Sequence, residues 1–228
     1  MRSALVLAAL AACGGHTTDI QANLKLADRS DLELSRLISA AGGADMFGAQ
    51  ARVDELSFGS TDPCPAIAIA GGQVTITGGC TTTDGTAIGG SATLTNPAGW
   101  DAVTYDYNAD SVYQLEQLSF DAITYDGVVR ISDGSTTYDA DLTVDDGTAA
   151  LRSDLYYSCD RGSQTCSLEG SGLLLVGAGG VHVSGSVVVG GTPHASFTLQ
   201  GVDRMTVAIT QGCVAWQISG SDRQQVCQ

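Results

Sequence analysis

With 228 residues, the chain has room for one sizeable domain. Its 29 glycines and its small share of charged residues favour turns and strands over helices, while 43% hydrophobic content is that of an ordinary globular chain. Acidic residues number 25 against 10 basic ones, a net charge of −15 that repels phosphate backbones and anionic headgroups. Nucleic acid is excluded as a partner on that ground, and the acidity reads as a solvated surface.

At the N-terminus Arg2 supplies one positive charge, Ala4 to Leu10 form an apolar run, and the small residues Ala11 and Ala12 precede Cys13. That is the order of a secretory signal, and no later segment approaches the ~20 apolar residues of a membrane-spanning helix. The run Leu10-Ala11-Ala12-Cys13 resembles the lipobox of bacterial lipoproteins. The resemblance implies that residues 1–12 are removed and that Cys13 takes a diacylglycerol on its thiol and becomes the acylated N-terminus. The next residue is Gly14 and not the aspartate of inner-membrane retention, so the family rule implies an outer-membrane address, facing the periplasm or the cell surface. Setting Cys13 aside leaves six of the seven cysteines, the even number a disulfide-bonded exported domain needs. The stretch from Gly14 to Arg29 is polar and patternless, which predicts that residues 13–29 form a flexible tether behind the lipid.

Residues 30–228 are expected to form a single domain. Ser30 and Glu33 make a capping-box pair, and Leu34, Leu37, Ile38 and Ala41 follow at helical spacing until Gly42-Gly43. This predicts one short helix that covers the core. Beyond about residue 50 the hydrophobic period drops to two, in short runs separated by Gly, Asp, Asn and Ser. Val103, Tyr105 and Tyr107 share a face. So do Tyr138, Ala140, Leu142 and Val144, then Met205, Val207 and Ile209, then Val214, Trp216 and Ile218. Roughly ten to twelve strands with no crossover helix predict an all-β fold, an antiparallel meander closing into a barrel or sandwich. A transmembrane barrel is disfavoured by an aromatic content of 6%.

Three sequence-local disulfides are expected: Cys64–Cys80, Cys159–Cys166 and Cys213–Cys227. Gly71-Gly72 is a two-residue hairpin signal that sets Ile69 opposite Val74 and Ile67 opposite Ile76. Continuing that register brings Cys64 to Cys80 once a bulge at Gly78-Gly79 adds one residue. The other pairs span turn-rich segments around Gly162 and Gly220, so each faces across its own hairpin.

Catalytic signatures are scarce. The Gly-x-Ser-x-Gly elbow of α/β hydrolases is missing, as are Cys-x-x-Cys, a phosphate-binding glycine loop and His-Glu-x-x-His. Of three histidines, His16 lies in the expected tether, His182 on the wet side of a strand and His194 at a turn, so a zinc cluster is not expected. Asp139, Asp141, Asp145 and Asp146 read as the solvent face and turn of one strand. Asp106-x-Asn108-x-Asp110 has the order of three calcium ligands, but Ser111 stands where the turn glycine belongs and Glu116 is one step early for the closing ligand, so a hairpin turn is the simpler reading. The sequence thus points to a lipid-anchored, non-enzymatic binding or structural module with no cofactor, whose partner is the membrane through Cys13. Its rivals are an exported glycan hydrolase using paired carboxylates and a carrier of lipids or small apolar ligands. A carboxylate pair in an open groove, a greasy cavity or a filled core would separate the three.

Overall fold

The computed structural model describes residues 16–59, 61–96, 110–132, 136–160, 162–188, 194–210, 212–222 and 224–227. Cys13, Asp106 and Asn108 lie outside them. Two helices come first, α1 (Asp31–Ala41) and α2 (Ala44–Gly59). They are followed by β1 (Ala66–Ala70), β2 (Gln73–Thr77), β3 (Cys80–Thr81), β4 (Ala87–Thr95), β5 (Ser111–Phe120), β6 (Ile123–Ser132) and β7 (Thr137–Asp145). The second half supplies β8 (Ala150–Asp160), β9 (Thr165–Leu175), β10 (Gly179–Val188), β11 (His194–Gln200), β12 (Arg204–Thr210), β13 (Cys213–Ile218) and β14 (Gln224–Cys227).

The 14 strands of the described residues belong to one antiparallel sheet in sequence order, with β3 standing off the path and pairing with β4 beside β2. The meander is as expected, but the barrel is not formed. β1 pairs with β2 and β14 with β13, and among the described residues the two ends of the sheet are not paired with each other. A sandwich or an open sheet is compatible with this order, and on the inner face α2 lies over β2, β6 and β7, and α1 over β9. One apolar cluster joins Leu34, Leu37, Met46 and Val53 of the helices to Val74, Leu94, Leu142, Leu155, Leu173 and Leu199 of the strands.

The cap of α1 is the one read from the sequence. The Ser30 hydroxyl accepts from the Glu33 amide at 3.3 Å, and the Glu33 carboxylate accepts from the Ser30 amide at 2.9 Å. Gly42-Gly43 does not end the helical region as expected, however. Gly43, at φ +87°, turns the chain and α2 begins at once. Met46, Ala49, Val53 and Leu56 are buried at spacings of three and four, a core-facing stripe that continues past residue 50. The elbow between the helices is tied by Arg36, which donates to Asp45 at 2.7 Å, and α1 ends on β8, where the buried Tyr157 hydroxyl donates to the Ala41 carbonyl at 2.9 Å.

Residues 16–29 are not a free tether. They form a strap that crosses the outer face of β8, β9 and β10 and then passes around the β11–β12 turn to the helix side. The Thr18 amide donates to the Gly170 carbonyl (2.8 Å), the Leu24 amide to Gly180 (2.9 Å), and the Val202 amide to the Leu24 carbonyl (2.8 Å). Leu24 and Leu26 are buried in the core, and Asp203 accepts from the Leu26 and Ala27 amides at 2.6 and 2.8 Å. Glycines open the track. A Cβ on Gly172 would come within 2.8 Å of Thr18 Oγ1 and one on Gly179 within 2.6 Å of Asn23 Oδ1, while Gly170 and Gly201 lie against the His16 and Leu24 carbonyls with no room for a side chain.

The three bridges Cys64–Cys80, Cys159–Cys166 and Cys213–Cys227 are formed. Register in the first hairpin sets Ile67 opposite Ile76 and Ile69 opposite Val74. Gly78-Gly79 interrupts the strand between β2 and β3, its two amides donating to Gly90 and Ile88. Because β1 is an edge strand, Ile69 stays 52% exposed while its partner Val74 is fully buried.

Candidate functional site

Among the described residues, an open groove remains between the helices and the last strands of the inner face. Between α1 and β12–β14 runs a groove of about 400 Å³, lined by Ser35, Ile38, Ser39 and Gly42 from the helix and by Ile209, Val214, Trp216 and Val226 from the sheet. The helical residues recur at three- and four-residue intervals and so share one face of α1. Across the sheet, Ile209 pairs with Val214 and Val214 with Val226, an apolar row on three adjacent strands. Trp216 is nearly buried at 9% exposure, whereas Val226 is 55% exposed and forms an open rim. The bridge from Cys213 to Cys227 fastens the four-residue β14 to β13 and so holds that rim in place. None of the eight lining residues carries an ionisable side chain, and the only polar side-chain groups among them are the Ser35 and Ser39 hydroxyls and the Trp216 indole.

A second, more polar groove of about 510 Å³ lies where the end of α2 meets β3, β4 and the β5–β6 hairpin. Three of its lining residues are the acids Glu55, Asp62 and Asp84. It is the place to look for a hydrolase pair, which needs one carboxyl held above its ordinary value so that it can donate a proton. Here the chemistry runs the other way. Asp62 accepts from the Thr83 hydroxyl and amide and the Cys64 amide, and Asp84 from Thr82 and the Thr86 amide, so both are held below the usual carboxylate range. Glu55 pairs with Arg52 at 3.3 Å. Asp62 and Asp84 thus cap loops, and Glu55 is held in an exposed ion pair on α2. Among the described residues Asp54 is the carboxyl pushed upward, by burial, against the opposing hydrogen bond from the Tyr113 hydroxyl at 3.0 Å, yet it is not among the groove's lining residues.

The sequence-predicted candidates are scattered. Asp110 is exposed and sits immediately before β5. Asp141 pairs with Arg152 at 2.9 Å, Asp145 accepts from the Gly147 amide, and Asp146 caps the β7–β8 turn. His194 is exposed at the start of β11. His182 faces outward as expected but contacts the strap, its Nε2 lying 2.9 Å from the Ile20 carbonyl. Sequence reasoning missed His16, which the strap carries to Asp154, 138 residues away. It missed the apolar groove as well. The alternation of Val214, Trp216 and Ile218 places those residues inward, but gives no sign that the inner face there lacks a cover. No protein-family model matches the chain, and comparison with curated proteins and with solved structures finds no match either.

Proposed function

We propose that the chain is a lipid-anchored, extracytoplasmic binding protein without enzymatic activity, and that the groove between α1 and β12–β14 holds the apolar chain of a neutral amphiphile. The observation that carries this reading is the groove itself, an apolar row left open among the described residues. Its volume falls within the ~300–1,000 Å³ common for small-molecule sites, and apolar walls with a few hydroxyls at the lip are what an alkyl chain with an uncharged head requires. A net charge of −15 acts against an anionic head. Three disulfides support an oxidising compartment, the Leu10-Ala11-Ala12-Cys13 run supports a lipid anchor with the membrane as partner through Cys13, and Gly14 after it supports the outer membrane.

The test uses full-length protein carrying Cys13→Ser and Trp100→Phe, so that Trp216 is the only fluorophore of its kind. A brominated monoacylglycerol added below its micelle concentration should quench Trp216 saturably, and more tightly than the matching fatty-acid anion. Ser39→Phe, which fills the groove from the helix side, should abolish quenching with circular dichroism unchanged. Absence of saturable quenching in the unfilled protein would leave a structural module as the reading and remove the amphiphile from it.

A further inference from the structure

We propose that His16, Asp139 and Asp154 bind one divalent first-row transition cation of the zinc class, and that this ion clamps the N-terminal strap onto the sheet. The inference is independent of the apolar groove. Asp139 on β7 and Asp154 on β8 are diagonal neighbours on the outer face, since Asp139 pairs with Tyr156 and Asp154 with Asp141. The strap brings the third donor. With the Thr18 amide fixed on Gly170, His16 lies flat on Tyr156, ring centroids 5.1 Å apart and planes 7° from parallel, and its Nε2 stands 2.9 Å from Asp154 Oδ1. One ligand atom from each of the three residues lies within 4.8 Å of the others.

Charge and donor chemistry both favour an ion at this point. Asp154 is 8% exposed, and among the described residues His16 is its hydrogen-bond partner. The imidazole contact occupies one lone pair of a buried carboxylate and leaves its other acceptor sites open to a further ligand. Arg152 is engaged elsewhere, with Asp141 and Asp19 at 2.9 and 3.2 Å, while Arg130 pairs with Asp139 itself at 3.4 Å, an exposed contact that the ion would replace. A divalent cation would neutralise both carboxylates at once. One imidazole nitrogen and two carboxylate oxygens form an accepted ligand set for such metals, with water free to complete the shell. Bonds of about 2.0–2.2 Å need ligand atoms about 3.4 Å apart. The His16–Asp154 contact would therefore open by about half an ångström, and Asp139, half-buried at the surface, would swing inward by up to about 1.4 Å.

Calorimetry with zinc chloride on full-length Cys13→Ser protein, which lacks a competing thiol, tests the site. One ion per chain should bind, and saturating zinc should raise the melting temperature by about 5 °C. Trypsin cleavage after Lys25, within the strap, should slow at least fivefold. His16→Gln and, separately, Asp139→Asn, which leaves the His16–Asp154 contact in place, should each weaken zinc binding at least tenfold and cancel the protection of Lys25. His182→Gln and His194→Gln should bind as the parent does. No isotherm tighter than 100 µM, or an isotherm unchanged in both His16→Gln and Asp139→Asn, would overturn the proposal and leave an ion pair only.

Discussion

Gly180→Ala isolates the strap's grip on the sheet. A methyl group at this position would lie 2.7 Å from the Gln21 carbonyl oxygen, 3.2 Å from that of Leu173, and closer still to Ile20 Cγ2. Leu173 is paired within the sheet, so the strap must yield. What it holds there is the burial of Ile20, which is 5% exposed, and three contacts at 2.9 Å: Leu24 N–H to the Gly180 carbonyl, Gly180 N–H to Asn23 Oδ1, and His182 Nε2 with the Ile20 carbonyl. Burying an isoleucine contributes about 1.5–3 kcal/mol and each hydrogen bond about 0.5–1.5 kcal/mol net. Chain freedom regained by the loosened residues returns part of that sum, leaving a loss of about 2–4 kcal/mol. For a domain of this size the melting temperature should fall by about 5–15 °C. Trypsin should also cut faster after Lys25, the single lysine, which sits between the buried Leu24 and Leu26. Gly71→Ala is the control: it carries φ +60° with nothing within 4 Å, so it should cost about 1–2 kcal/mol of backbone strain and leave Lys25 protected. A Gly180→Ala protein that melts within about 2 °C of the parent, with Lys25 equally protected, would refute the argument that the glycines were left bare to seat the strap.

Asp203→Ala removes the acceptor of the Leu26 and Ala27 amides where the strap enters the core, and should lower stability by about 1–3 kcal/mol in a urea titration. Asp146 is held down from 3.8 to about 2, first by the Thr148 hydroxyl, then by the Ala149 and Thr148 amides, with Arg36 nearby. Its carboxylate stabilises the fold fully above the unfolded value and is lost as pH falls through about 2, so Asp146→Asn should flatten the decline in melting temperature between pH 4 and 2; an unchanged slope would contradict this assignment. Cys13→Ser should move the protein from the membrane fraction to the soluble one and delete the lipid-derived mass; a native protein without added lipid would remove the anchor from the proposed function.

Local pattern was enough for the hairpins. Gly71-Gly72 determines both the register around Ile67 and Ile76 and, through the two extra glycines at 78 and 79, the reach of Cys64 to Cys80. It was enough for α1 too, where a capping box precedes an apolar stripe. The second helix hid behind Gly42-Gly43 and Gly48, residues that usually stop helices; its stripe of Met46, Ala49, Val53 and Leu56 was nevertheless present at helical spacing. The strap was illegible for a different reason. Ile20, Leu24 and Leu26 look like strays in a polar segment, because the surface that buries them is made of glycines and strand backbones about 150–180 residues downstream. Closure also failed to follow from alternation, which reports that one face is covered but not whether strands or helices cover it. The groove beside Trp216 is the remainder of that second choice.

The docked strap also sets a distance. Only Gly14 and Gly15 separate Cys13 from His16, and three residue steps of extended chain reach at most about 11 Å. A lipid on Cys13 would then be a mooring with almost no rope. The outer face of β7–β9, where His16 meets Asp154, would ride within a headgroup's reach of the bilayer, and the domain could neither drift far from that surface nor present a different face to it.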